Sequence, residues 1–227
     1  MSARIVAIVP MRHRSERVPG KNYRPLGGRP LYHHIVSSLE ACSRIAEVVI
    51  DTDSDLIAED ATRAFPAVRI LERPPHLRGG HVSMNDVLLH DVTQLAADYY
   101  LQTHSTNPLL TTATITGAIE AFFSSEPEHD SLFSVTRLQT RLWNADGQPM
   151  NHDPSVLLRT QDLPPVFEEN SNLYLFTRDG LEQQQSRIGQ RPLLFEIDRI
   201  EAWDIDEEAD FEIAEALYEQ RRSSLAA

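Results

Sequence analysis

Ile5-Val6-Ala7-Ile8-Val9 runs directly into Pro10-Met11-Arg12-His13-Arg14-Ser15-Glu16-Arg17-Val18-Pro19-Gly20-Lys21-Asn22. Successive apolar, mostly β-branched residues closed by a proline predict a short buried strand that empties into a polar loop. Working outward, Leu31, Ile35, Val36 and Leu39 recur at helical spacing within 30–44, and a strand returns at 47–51. Residues 55–65 predict the next helix and 67–71 the next strand. Strand and helix alternate from the start, which is the mark of an α/β fold: a mostly parallel sheet covered on both faces.

The alternation continues through the middle of the chain. Ser83, with Asp86 three residues later, resembles a capping box and opens a predicted helix through Ala97 whose apolar face is Val87, Leu88, Val92 and Leu95. Residues 99–103 predict a buried strand, Thr111 or Thr112 caps a helix to Phe123, and 131–136 predict another strand. From Arg137 to Pro165 no period is sustained, and Asp146-Gly147 and Asp153-Pro154 signal turns, so 137–165 is expected to leave the sheet. Strands at 172–176 and 193–197 bracket a helix at 179–188, and a last strand near 200–203 leads into a helix from about Glu207.

At 227 residues the chain suits one domain with a small appendage. Its 41% hydrophobic and 24% charged residues are enough for a core and argue against wholesale disorder. A net charge of -13 argues against coating nucleic acid or an anionic membrane, both of which need positive surface. Cys42 stands alone, so neither an intrachain disulfide nor a cysteine-based zinc site can form. The apolar run 5–9 is too short for a signal-peptide core or a membrane span of about 20 residues, and a cytoplasmic protein is expected.

Charge is not spread evenly. Arg12, Arg14, Arg17, Lys21 and Arg24 face one acid, Glu16, so this loop carries +4 and the remaining chain -17. A cationic loop at the carboxyl end of the first strand stands where α/β sheets bind ligands, and its natural partner is a phosphate. A solvated basic loop is the plainer alternative. The loop is no Walker motif, since no Gly-Lys-Ser/Thr follows, and it lacks the dinucleotide glycine fingerprint. A nucleoside triphosphate brings a magnesium ion that needs oxygen ligands. Asp51-Thr52-Asp53-Ser54-Asp55 starts like a calcium loop, but Leu56 and Thr62 replace the required glycine and acid. Asp204-Ile205-Asp206 is the stronger metal candidate: alternation at a strand end would turn both carboxylates to one side and Ile205 to the core. An acidic helix start is the alternative there. The stretch Gln102 to Pro108 is dense in neutral hydrogen-bonding groups, which suit a sugar as well as a turn.

Taken together, Pro10-Met11-Arg12 through Ser15, Pro19, Lys21 and Asn22 resembles the nucleotide signature of the acylneuraminate cytidylyltransferases, the CMP-sialic acid synthetases. Further ordered matches are Arg24-Pro-Leu-Gly-Gly-Arg-Pro-Leu31, Asp51-Thr-Asp53, Arg73-Pro74 before Ser83, Thr106-Asn107-Pro108, Glu169-Asn170 and Asp204-Ile205-Asp206. The resemblance spans nearly the whole chain. It implies a Rossmann-like, three-layer fold of the nucleotide-diphospho-sugar transferase type. It also implies transfer of CMP from CTP to the anomeric hydroxyl of a 2-keto-3-deoxy sugar acid.

By the same resemblance Arg12, Ser15 and Lys21 would hold the triphosphate, Asn22 the ribose, and Arg73 with Ser83 the cytosine edge. Asp204 and Asp206 would bind magnesium, and His104 and Asn170 would face the acidic sugar. The attacking hydroxyl must lose a proton, and Asp206 is expected to accept it, directly or through a metal-bound water. The excursion 137–165 resembles the family's dimerisation arm, which implies a homodimer. Met11, Asn107, Leu110, Gly80 and Ser171 depart from the family pattern, mostly on the acceptor side. Two other readings fit the same residues: a 3-deoxy-octulosonate cytidylyltransferase, or a sugar-nucleotide-binding module without catalysis.

Overall fold

The computed structural model describes residues 3–15 and 17–226, with the backbone alone at 225 and 226; Glu16, the loop's acid, lies outside them. A seven-stranded sheet organises the chain in the order β5-β4-β1-β6-β8-β7-β9. Its first half is β1 (Ile5–Met11), β4 (Glu47–Thr52), β5 (Arg69–Glu72) and β6 (Tyr99–Gln102), all parallel. Its second half is β7 (Ser131–Leu138), β8 (Val166–Phe176) and β9 (Pro192–Glu196). Only β8 runs against its neighbours, pairing antiparallel with both β6 and β7. A separate hairpin of β2 (Pro25–Leu26) and β3 (Arg29–Pro30) follows the cationic loop.

Helices cover both faces because β1 is apolar on both: every residue from Ile5 to Met11 is buried. On one side α1 (Leu31–Glu40), α2 (Asp55–Ala64) and α4 (Thr112–Ser124) pack Ile35, Ile57 and Ile119 against Ile5, Ala7 and Val9. On the other, α3 (Met84–Gln94) and α5 (Arg178–Gln184) bring Leu88, Val92 and Leu181 to Val6 and Ile8. A third cluster joins Leu26 and Leu31 to Ile205, Phe211 and Ala214 at the start of α6 (Glu208–Ala226), fixing the C-terminal helix against the hairpin.

Caps follow the sequence signals. Ser54, Ser83 and Thr111 each accept a hydrogen bond from the backbone N–H three residues on, satisfying a donor the helix start leaves open.

Four expectations need correction. Residues 200–203 form no strand: the Ile200 N–H bonds Asp198 Oδ1 at 2.8 Å and the Ala202 N–H bonds the Asp198 carbonyl at 2.8 Å, and this local turn outcompetes sheet pairing. Strand β8 starts at Val166 rather than 172, because Ser171 at φ 58 interrupts the side-chain alternation beside a register shift in β7. Helix α5 stops at Gln184, where Gln185 takes a left-handed conformation, instead of reaching 188. The excursion starts after Leu138, since β7 continues to that residue. Among the described residues no helix is long and apolar enough to cross a membrane.

Candidate functional site

The cationic loop is pinned to the sheet before it meets any ligand. The His13 N–H donates to Asp53 Oδ1 at 2.6 Å and the His13 ring bonds Ser54 Oγ at 2.7 Å, so Asp53 and Ser54, just past the end of β4, anchor the loop. Val18 is buried, and Gly20 at φ 68 turns the chain so that Lys21 points inward. A side chain at Gly20 would meet the Tyr23 ring at 3.0 Å.

The loop lies across a cleft of about 520 Å³ from the stretch preceding α6. Arg12, Ser15, Lys21, Asn22, Arg73 and His104 line that cleft together with Asp204 and Asp206. The cationic and acidic clusters therefore converge. Arg17 Nη2 is 2.6 Å from Asp206 Oδ1, and Lys21 Nζ is 3.9 Å from the same oxygen. Lys21 also donates to the Ile205 carbonyl. Burial lowers the Lys21 pKa, and the charges of Asp204 and Asp206 oppose that shift.

The two carboxylates face the cleft without the strand expected beneath them. The Ile205 N–H bonds the Thr106 carbonyl at 3.0 Å, and the fully buried Ile205 side chain pulls the backbone down between its neighbours. Asp210 Oδ2 accepts the N–H groups of Asp206 and Glu207 at 3.0 and 2.8 Å and so caps α6. Burial pushes the Asp204 carboxyl up, against a hydrogen bond from Thr106. Asp204 Oδ1 is buried with no hydrogen-bond partner among the described residues.

A buried oxygen that lacks a donor is well matched to a cation, and Asp206 is half-exposed beside it. Among the described residues no three His, Cys, Asp or Glu side chains could hold a metal ion by themselves. Two carboxylates suffice for magnesium when substrate phosphates supply other ligands. The donor set fits that metal.

Several expected contacts are engaged differently. Asn22 donates to the Arg12 carbonyl at 3.0 Å and accepts from Ser105 Oγ at 2.8 Å, so its amide ties the loop to the end of β6 while standing on the cleft wall. Arg73 reaches the cleft, but its Nε bonds Asp51 Oδ2 at 2.7 Å and its Nη2 lies 2.5 Å from the same oxygen. Ser83 does not line the cleft: its exposed hydroxyl caps α3, and the neighbouring Met84 lines the wall instead. Asn170 is not in the cleft either. Ser134 Oγ, Thr136 Oγ1 and the Asn172 N–H all bond its amide, which faces a second chamber of about 550 Å³. The two chambers share Ser171, Asp204 and Asp206.

His104 stays close to the cleft's cations. Burial first, then the charges of Arg187 and Lys21, push its pKa down to about 3, so it is a neutral hydrogen-bonding group at pH 7. Arg187 is the main cleft residue that sequence reasoning missed. It follows α5, and 179–188 was expected to be helical throughout. Thr106 and Ser105 also line the cleft, within the neutral polar stretch already singled out.

Comparison with known proteins agrees with this geometry. Residues 6–226 match the family model described as Cytidylyltransferase. The chain is 26% identical over 228 residues to the post-translational flagellin modification protein B of Campylobacter coli, covering 96% of each. It is 27% identical over 240 residues to the CMP-N,N'-diacetyllegionaminic acid synthase of Legionella pneumophila, covering 98% of this chain and 99% of that one. A solved CMP:2-keto-3-deoxy-manno-octonic acid synthetase complexed with CTP superposes at TM-score 0.70 over 96% of this chain and 100% of that one; at 19% identity the likeness is one of fold. With nearly its full length matched and its loop and carboxylates meeting in one cleft, the chain belongs to the cytidylyltransferase family and is a CTP-dependent nucleotidyltransferase.

Proposed function

We propose that the chain transfers CMP from CTP to the anomeric hydroxyl of a 2-keto-3-deoxy sugar acid of the sialic acid type, releasing pyrophosphate. The observation that carries this reading is the meeting of Lys21 and Asp206, 3.9 Å apart, in a cleft that opens beside a second polar chamber. One chamber suits a triphosphate and the other an acceptor. The relative named for CMP-diacetyllegionaminic acid synthesis supports an acidic nine-carbon sugar.

In this reading Arg12, Ser15 and Lys21 hold the triphosphate, and Asn22 keeps the loop in register with β6. Arg73, clamped by Asp51, offers the cytosine a fixed edge. Asp204 and Asp206 would hold magnesium, which would supply positive charge to the triphosphate. His104 donates or accepts a hydrogen bond as a neutral ring. Asp206 takes the proton of the attacking hydroxyl as its oxygen bonds the α-phosphorus. Asn170 shapes the acceptor chamber through the β7–β8 hydrogen bonds.

The segment between β7 and β8 is read as a dimerisation arm. Trp143 is 52% exposed, Met150 61% and Leu157 89%, an apolar set that needs a cover, and a second copy of the chain supplies one. We place the homodimer in the cytoplasm, where CTP is available.

The test is a pyrophosphate-release panel with magnesium. CTP, UTP, GTP and ATP are each paired with N-acetylneuraminic, N,N'-diacetyllegionaminic, pseudaminic and 3-deoxy-manno-octulosonic acids. Release with CTP and at least one nine-carbon acid is the expected result. Release with the octulosonic acid alone moves the acceptor to the eight-carbon class, and nucleotide binding without release across the panel leaves a binding module.

A further inference from the structure

Arg187 is a half-buried cation in the cleft that nothing above uses. Its Nη1 donates to Gln102 Oε1 at 2.5 Å, its guanidinium carbon lies 3.5 Å from the centre of the Tyr174 ring, and its backbone N–H bonds Asn85 Oδ1 at 3.2 Å. Three elements, β6, β8 and α3, thus fix its position. Among the described residues no carboxylate comes within ion-pair distance of it; Glu169, the acid whose charge it feels, is engaged by the Tyr174 hydroxyl.

A guanidinium partly withdrawn from water and left without a counter-ion is costly unless a ligand anion completes it. The other cations of the cleft have assignments. Arg17 and Lys21 face Asp206, Arg73 is clamped by Asp51, and Arg12 and Arg14 belong to the loop at the end of β1. Arg187 stands apart from that loop. It rises on the β6–β8 side of the sheet, on the cleft wall it shares with His104 and with Ser171, and Ser171 also borders the acceptor chamber.

Resting on the function proposed above, the acceptor has a carboxylate on the carbon that also bears the attacking hydroxyl. That anion must enter the site within one bond of the reacting centre. We propose that Arg187 binds the acceptor's carboxylate and so selects a 2-keto acid over a neutral sugar. The flat guanidinium, stacked on Tyr174 and held by Gln102, is already oriented for a planar carboxylate.

The experiment compares Arg187→Met, Arg187→Lys and wild type on the sugar acid that wild type turns over, on its C1 carboxamide, and on CTP. Loss of a charge-assisted pair should raise KM for the acid about thirtyfold or more in Arg187→Met, with KM for CTP within about twofold of wild type. Arg187→Lys should recover part of the loss. Wild type should discriminate strongly between acid and carboxamide, and Arg187→Met should treat them almost alike. If the variants weaken CTP instead, or if Arg187→Met still prefers the acid as strongly as wild type, the assignment is wrong. If Arg187→Met does not fold, equal use of acid and carboxamide by wild type overturns it as well. Wild-type protein that turns over none of the sugar acids removes the function proposed above, and this inference with it.

Discussion

Lys21 Nζ stands 3.9 Å from Asp206 Oδ1 and donates to the carbonyl of Ile205, 184 positions away in sequence. This contact closes the cleft between the β1 loop and the start of α6. Burial lowers the Lys21 pKa and the two carboxylates oppose that shift, and a polyphosphate arriving there meets the lysine and an acidic pair held at fixed separation.

The first prediction concerns Asp206. Asparagine keeps the shape and the contact with Arg17 but cannot take a proton. Asp206→Asn should lower kcat by about 100-fold or more, the usual range for a lost general base, while CTP still binds. Turnover within a factor of a few of wild type, measured by pyrophosphate release, would remove the proton-acceptor role.

Metal removal separates Asp204 from its neighbour. Chelation with EDTA should abolish turnover, and magnesium should restore it. Asp204→Asn should raise the magnesium concentration for half-maximal rate about tenfold or more, because the buried, unpartnered Oδ1 is the oxygen that a cation would satisfy. An enzyme indifferent to EDTA, or an unchanged magnesium dependence in Asp204→Asn, would contradict the metal assignment.

The arm gives a prediction about assembly. Leu157 and Trp143 are 89% and 52% exposed, so charging them costs little within one chain. The pair Leu157→Glu and Trp143→Glu should convert a dimer to a monomer in light scattering, with an unchanged circular dichroism spectrum. A monomeric wild-type protein at assay concentration would refute the homodimer.

The sequence made the first half of the sheet legible because its signals are local. The apolar run 5–9, the serine cap at Ser83 and the threonine cap at Thr111 each act within a few residues, and the structure keeps all three. The meeting of the cationic loop with Asp204 and Asp206 accords with the resemblance, which sets both on one magnesium-bound triphosphate. What escaped depends on non-local or irregular geometry. The polar run Glu168-Glu169-Asn170 hid the start of β8, and Ser171 at φ 58 broke the alternation that would have revealed it. Ser171 holds a left-handed conformation where the resembling family has glycine. Arg187 was concealed in an expected helix that ends at Gln184. Ser83 carried a cap signal that the structure keeps, while its hydroxyl stands off the cleft lining.

The last prediction comes from the charges beneath the cleft. Asp51 and Asp91 are fully buried beside Arg73, and neither Asp91 oxygen has a hydrogen-bond partner among the described residues. Burial, helped by the charge of Asp51, pushes Asp91 up from its ordinary 3.8 to about 8, so the folded protein holds its proton at neutral pH. A carboxyl raised in this way stabilises the fold fully below about pH 4, and the contribution is lost as pH climbs through about 8, because the unfolded chain gives up the proton first. Asp91→Asn has no proton to lose. The stability of wild type relative to this variant, from urea unfolding, should therefore fall steadily from pH 5 to about pH 8 and level off above it. His34, which burial pushes down to about 4, is present in both proteins, so its titration largely cancels in the difference. A difference that stays level across this range would mean that Asp91 is ionised inside the fold.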